Sequence, residues 1–477
     1  MKKLSLADNG FLQAEKATTP THVGGLTIHK IPEGVAPQTY FETLLGNLRN
    51  WFAATAPFNQ RLQTAFLNAG VPSLVPESHL DLDYHMRRMA LPQPGSLAQL
   101  CELIAEMHGK LLHRDHPLWE FRLIEGLEGN RFALYFKVHH SIMDGIAAMN
   151  AMKSLMSTDP HADTIAPLRS IRRQASATSS KGLTARLAQV AHFLQTQAKT
   201  MPELAKAFKD VGLQLWHADP ADPSVVPVWY TAPVFPINTQ ISGQRSIIVR
   251  SFALKDFKAI SKAHGVTIND VVLACCSGAL RSYFLLHNNL PEKSLISCLP
   301  VSLRAKSGSS QGNAITSLLC NMGTHLEDPL TRLQHIHTST ANGKEQLRHM
   351  SKPAIETFTL MVGAPFFLGQ MLKINKVLPT AFNMVISNLQ ASDKKLYLCG
   401  AEMESLYPIN LLFERQALNF TVSSYVNSLD FSLLACRQTI PDLEQIADFL
   451  TQSLEELAKE SGLKRPRGKR KTPARAK

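Results

Sequence analysis

The chain lacks the features that mark several large protein classes. Its seven cysteines stand at 101, 275, 276, 298, 320, 399 and 436, with no Cys-x-x-Cys pair among them. That excludes a zinc ribbon and a redox dithiol, and scattered thiols in apolar surroundings fit a reducing cytoplasm. No run reaches the ~18 apolar residues expected of a membrane span. The nearest, residues 357–372 (TFTLMVGAPFFLGQML), is uncharged but broken by Pro365, and reads as a buried or interfacial segment. The opening MKKLSLADNGFLQ is basic, but Asp8 and Asn9 interrupt any apolar core, so no signal peptide is expected. No internal repeat aligns. The body is also nearly balanced in charge. Of the net +12, eight positive charges fall in residues 464–477, which hold no acid, leaving +4 for the rest.

What is present is an ordinary globular composition, 44% hydrophobic and 18% charged, over 477 residues, enough for two or three domains. Its organising stretch is His139-His140-Ser141-Ile142-Met143-Asp144-Gly145. Residues 131–138 (RFALYFKV) read as a buried strand. Beyond Gly145, the apolar positions 146, 149, 152, 155 and 156 step at helical spacing, so the motif lies on a strand-to-helix turn. Successive strand side chains point to opposite faces. If the strand runs through both histidines, only one can face a cleft, and the pair is a poor metal site. An imidazole with an unperturbed pKa of about 6.5 can accept a proton from a hydroxyl or amine near neutral pH. Asp144 either caps the following helix or fixes the turn through an ion pair.

On either side, strands are expected over 22–31, 121–125 and 131–138, the last two a hairpin across 126–130. Helices are expected over 40–52, with Phe41, Leu44, Leu45, Leu48 and Phe52 on one side, and over 97–112. An alternating segment begins at Asp81. Residues 159–180 have a linker composition, two helical runs follow over 183–215, and five prolines between 218 and 236 mark an extended crossing segment. The second block is expected to carry strands over 246–252, 295–303 and 384–387. A helix runs from Asn269 to Leu286, with Thr267 as N-cap and Asp270 in its first turn. Another spans 330–349, a hairpin turns at Asn427-Ser428, and a closing helix spans 441–457. The reading is an α/β protein divided as 1–160, a connector over 161–244, 245–460, and a basic tail over 461–477.

The His-His-x-x-x-Asp-Gly pattern on such a turn resembles the active-site motif of the CoA-dependent acyltransferase superfamily, which includes chloramphenicol acetyltransferase. Further stretches narrow the resemblance to bacterial wax ester synthase/diacylglycerol acyltransferases: Pro117-Leu118-Trp119, then Asn269-Asp270-Val271-Val272-Leu273-Ala274, then Pro300-x-x-x-Arg304 with Gly312-Asn313. The ordered match covers residues 4–457. It departs at Asn388-Leu389-Gln390-Ala391-Ser392, where many relatives carry Asn-Val-Pro-Gly-Pro. Each stretch also has a plainer reading. Trp119 suits a core, Asn269-Asp270 is explained best as helix-start chemistry, Gly312-Asn313 suits a turn, and Arg304 is either a surface charge or the partner of a carboxylate or phosphate.

The resemblance implies two similar chloramphenicol-acetyltransferase-like domains with the active site and a tunnel between them. It implies that His140 is the general base, with His139 supporting and Asp144 orienting, and that the substrates are acyl-CoA and a fatty alcohol or diacylglycerol, for storage-lipid synthesis. No cofactor or metal is implied, since a thioester is already activated. Two alternatives stay open: a CoA-dependent acyltransferase for another hydroxyl or amine, and a non-catalytic protein coating lipid inclusions. The plant-type Asp-Phe-Gly-Trp-Gly element and an attached carrier domain are both missing. The tail reads as disordered. It is either a solvated end or an electrostatic anchor to an anionic membrane or inclusion surface. Nucleic acid is not expected, because no aromatic residue is interleaved with its charges.

Overall fold

The computed structural model describes residues 2–63, 72–165, 225–302, 315–348, 350–372, 374 and 378–463. The helical runs expected over 183–215, Arg304, Gly312-Asn313 and the basic tail from residue 464 lie outside the described residues.

The first half opens with β1 (Lys2–Lys3) and α1 (Leu6–Ala14), a helix started by a capping box between Ser5 and Asp8. β2 (His22–Lys30) follows as expected. α2 (Pro37–Ala54) buries Phe41, Leu44, Leu48 and Phe52, while Leu45 is only partly covered. β3 (Gln60–Gln63) and β4 (Ser73–Pro76) join β1 in a small sheet. The segment at Asp81 does not begin as a strand. Its carboxylate accepts from the Asp83 and Tyr84 amides and starts a one-turn helix, α3 (Leu82–His85), so that β5 (Met86–Ala90) begins only afterwards. Then come α4 (Leu97–Gly109), the hairpin of β6 (Trp119–Leu127) and β7 (Arg131–His139), and α5 (Gly145–Ser154).

The second half runs β8 (Arg245–Ala253), α6 (Leu254–His264), α7 (Ile268–Leu286), β9 (Ile296–Ser302), β10 (Ile315–Asn321), α8 (Pro329–Arg348) and α9 (Lys352–Leu372). It continues β11 (Met384–Ser392), β12 (Tyr397–Leu398), β13 (Ala401–Ile409), β14 (Leu418–Tyr425), β15 (Ser428–Cys436) and α10 (Leu443–Glu460). β11 outruns the expected 384–387 because its parallel pairing with β14 continues to Ser392. The β14–β15 turn falls one residue early. Ser428 pairs with Tyr425, and Val426 takes φ 50° while its amide donates to Ser392 O at 2.8 Å. That bond holds a β-branched residue in the left-handed region, which it otherwise avoids.

Two six-stranded mixed sheets carry the fold, in the orders β12-β13-β2-β7-β6-β5 and β10-β9-β11-β14-β15-β8. β12 and β13 belong to the second block in sequence but lie in the first sheet, β13 running antiparallel to β2. The 245–460 stretch is therefore not a separate unit in space. In return α4 of the first half packs against β8, the edge of the second sheet. One hydrophobic core spans both, joining Leu26 and Tyr135 to Val249, Val422 and Phe431. α7 is its centre, buried continuously from Asp270 to Leu280. It lies close to α10: a Cβ on Gly278 would come within 2.1 Å of Ser453 Oγ, so glycine at this mid-helix position permits the approach. No single described helix is long and apolar enough to cross a membrane.

Candidate active site

β7 ends at His139, paired with His22 of β2. His140 is the first residue of the turn, its amide donating to Thr21 O at 2.9 Å, and the amides of Ile142 and Met143 close back onto His139 O. The two rings part for that reason. The strand does not run through both, and the turn, rather than strand alternation, separates them. His139 is fully buried and His140 half-buried.

The buried ring sits in a polar network. His139 Nδ1 accepts from the Ser141 amide at 3.1 Å and lies 2.6 Å from Ser141 Oγ. His139 Nε2 lies 3.0 Å from Thr21 Oγ1 and 3.3 Å from Glu15 Oε1. Thr21 Oγ1 donates onward to Phe11 O at 3.0 Å, and Arg114 reaches Glu15 Oε2 at 3.0 Å. Burial alone would raise the Glu15 pKa, but His139, Arg114 and the Thr21 amide together hold it below the usual carboxylate value. On the other side of the turn, Phe11 stacks on the His140 ring with centroids 4.0 Å apart and planes 26° apart. Phe11 also meets Phe367 of α9 edge-on at 5.8 Å.

Asp144 is the N-cap of α5, its Oδ1 accepting from the Ala147 amide at 2.8 Å. Of its two expected roles, this is the cap. Gly145 opens the helix, and a Cβ there would meet nothing within 4 Å. Unbonded amide donors and the helix dipole at such an N-terminus favour negative charge. No three His, Cys, Asp or Glu side chains gather into a metal-binding group among the described residues.

The other expected residues divide into supports and neighbours. Pro117 and Leu118 are buried, and Leu118 O accepts the His139 amide at 3.0 Å, pinning the end of β7. Trp119 is 1% exposed, stacked between Phe52 and His85, with Nε1 donating to Phe58 O at 2.8 Å. Asp270 completes a capping box with Thr267, and also accepts from His337 Nδ1 and Thr340 Oγ1, both at 2.8 Å. Burial would raise its pKa, but these bonds outweigh it and lower it. Asn269 Oδ1 accepts from Asn388 Nδ2 at 3.2 Å. Residues 388–392 form the end of β11 rather than a free loop. They pack on α5, where Lys153 Nζ donates to Ala391 O at 3.0 Å. The start of α7 and the helix that follows the His turn thus flank the same strand.

Sequence reasoning missed Phe11, Glu15, Thr21 and Ser141. The start of α1 carried a signal, the Ser5-x-x-Asp8 capping box. The approach of Glu15 to a residue 124 positions later carried none.

The catalytic domain of the wax ester synthase/diacylglycerol acyltransferases matches residues 4–272, and their C-terminal domain matches residues 311–458. The chain belongs to the wax ester synthase/diacylglycerol acyltransferase family. An O-acyltransferase of Acinetobacter baylyi is 36% identical, over 95% of this chain and 96% of its own length. A putative diacylglycerol O-acyltransferase of Mycobacterium tuberculosis is 35% identical, over 96% of this chain and its own full length. The solved wax ester synthase/diacylglycerol acyltransferase of Marinobacter aquaeolei is 33% identical and superposes with a TM-score of 0.76, over 97% of this chain and all of that one. A condensation domain of the calcium-dependent antibiotic synthetase shares 14% identity and a TM-score of 0.60, over 96% of each chain. That likeness is one of fold, an α/β architecture built on two sheets.

Proposed function

We propose that the protein transfers a fatty acyl group from acyl-CoA to the hydroxyl of a long-chain alcohol or a diacylglycerol, with His140 as general base. The observation that carries this reading is the His140 ring. It alone of the pair is partly open, is held flat by Phe11, and stands on a turn pinned by Thr21, Leu118 and the Asp144 cap. His140 takes the proton of the acceptor hydroxyl, and the alkoxide oxygen attacks the thioester carbonyl. The tetrahedral oxyanion then collapses, the C–S bond breaks, and the CoA thiolate takes up the proton from the imidazolium. Base catalysis of this kind contributes roughly 10²–10⁴-fold. The acyl group passes directly between the two bound substrates, and Asp144 holds the turn without relaying a proton.

α9 supports the lipid part of the reading. Phe358, Met361 and Val362 line one side of a largely apolar, partly open cavity of about 270 Å³, with Trp229, Tyr230, Leu318 and Leu319 also in its wall. Farther along the same helix, Phe367 meets the Phe11 ring that covers His140. α9 is thereby suited to guide an aliphatic chain towards the imidazole. Its outward face carries Phe367, Leu368, Met371 and Leu372 in the open, with Ile374 just beyond. Such a continuous exposed apolar surface suits contact with lipid. We place the enzyme at the cytoplasmic surface of an anionic membrane or lipid inclusion. The free cysteines fit that compartment, and the eight basic residues of the tail add electrostatic hold that salt screens. The test is thiol release by purified protein from palmitoyl-CoA with hexadecanol or a diacylglycerol. Release dependent on either acceptor is expected, and none with any hydroxyl acceptor contradicts the reading.

A further inference from the structure

Glu15 is a carboxylate with only 3% of its side chain exposed, fixed 3.3 Å from the ring of His139. Burying such a group is costly unless it is paired and hydrogen-bonded. Its partners include Arg114 and the Thr21 amide, and its contact with His139 bears on the proposed catalytic turn. The Ser141 amide can only donate, so His139 Nδ1 is the acceptor and Nε2 carries the proton, aimed at Glu15 and Thr21. The bond from the Ser141 amide to Nδ1 closes a ring of atoms that contains one complete residue, His140. With the proton on Nδ1 instead, two donors would face each other and the ring would open. Phe11, one helical turn before Glu15, lies directly on His140. The end of α1 therefore grips both histidines.

We propose that Glu15 is a positioning residue for the transfer reaction: its carboxylate, 3.3 Å from His139 Nε2 and bonded by the amide of Thr21, whose hydroxyl meets the same nitrogen, fixes the ring that holds the His140 turn in place. The inference rests on the reading of His140 as the base. Glu15→Ala removes the acceptor. A misplacement of the base of about 1 Å costs roughly 10²-fold, so kcat falls by about that factor while KM for palmitoyl-CoA stays within about twofold. Glu15→Gln retains an oxygen that can stand beside Nε2 and accept from the Thr21 amide, and recovers most of kcat. Two activity results overturn the proposal: kcat retained in Glu15→Ala, or Glu15→Gln impaired as fully as the alanine variant. A second measurement applies even if the alanine variant does not fold. Histidine ¹⁵N shifts of the wild-type protein, assigned by difference with His139→Gln, are expected to show the proton of His139 on Nε2. A proton on Nδ1 overturns the inference whatever the activity. The same spectrum separates it from the assignment of the base, because the tautomer of His139 is read without any turnover.

Discussion

The Asp144 cap gives two variants with different expected costs. Oδ1 accepts from the Ala147 amide at 2.8 Å, so Asp144→Ala removes both the acceptor and the charge at the start of α5. Loss of a capping side chain costs typically ~1 kcal/mol, and the charge at a helix N-terminus adds about 0.3–1 kcal/mol. The alanine variant should therefore lose about 1.5 kcal/mol. Asparagine caps as well as aspartate, so Asp144→Asn should lose only the charge contribution, about 0.5 kcal/mol. Domains of 150–250 residues shift in Tm by roughly 2–4 °C per kcal/mol, and this longer chain should shift less, so urea unfolding resolves the pair better than heating. The turn carrying His140 leads directly into this helix, so thiol release should fall in the same order, alanine below asparagine. If Asp144→Asn destabilises as much as Asp144→Ala, or neither moves the urea midpoint, the carboxylate does not act as the cap inferred from its geometry.

Other consequences can be tested in the same way. Asp430 accepts from Ser251 Oγ at 2.6 Å and from the Leu406 amide at 3.0 Å, and burial pushes its pKa up from 3.8 to about 6. The unfolded chain gives up this proton first, so the Asp430 contribution to stability falls as pH rises from about 4 to 6 and stays low above that, by roughly 3 kcal/mol. Asp430→Asn should flatten that part of the slope in urea unfolding between pH 4.5 and 7.5, and an unchanged slope speaks against it. Trp119→Phe leaves Phe58 O without its indole donor, which should cost about 1–3 kcal/mol while kcat of the folded protein changes little. A loss of kcat without a loss of stability would return Trp119 to the chemistry. The exposed pair Leu368→Ser and Leu372→Ser on α9 should reduce sedimentation with anionic liposomes and leave turnover of a detergent-solubilised alcohol intact. Equal sedimentation would leave α9 without a lipid-facing role.

What could be read from the sequence was what neighbouring residues decide. The start of α7 was legible because Thr267 and Asp270 settle it within four positions, and β7 because its own apolar run marks it. α1 was missed because Asp8 and Asn9, which break an apolar run, include the helix's own capping residue. The one-turn helix at Asp81 was missed because an Asp-x-Asp pattern imitates strand alternation. Placement of β13 beside β2 could not be read, since alternation within 401–409 says nothing about which sheet the strand joins. The candidate site divided along the same line. His139, His140 and Asp144 are a local motif on one turn. Glu15, Thr21 and Phe11 reach that turn only through the fold.

The central claim is that the imidazole of His140, and not that of His139, removes the proton of the acceptor. It is tested most directly by thiol release from palmitoyl-CoA with hexadecanol, comparing His140→Ala and His139→Ala, both confirmed as folded by circular dichroism. The account predicts that His140→Ala loses roughly 10²–10⁴-fold in kcat, the worth of a positioned base, and that His139→Ala loses less. His140→Ala within tenfold of the wild-type rate, or His139→Ala the slower of the two, would contradict it.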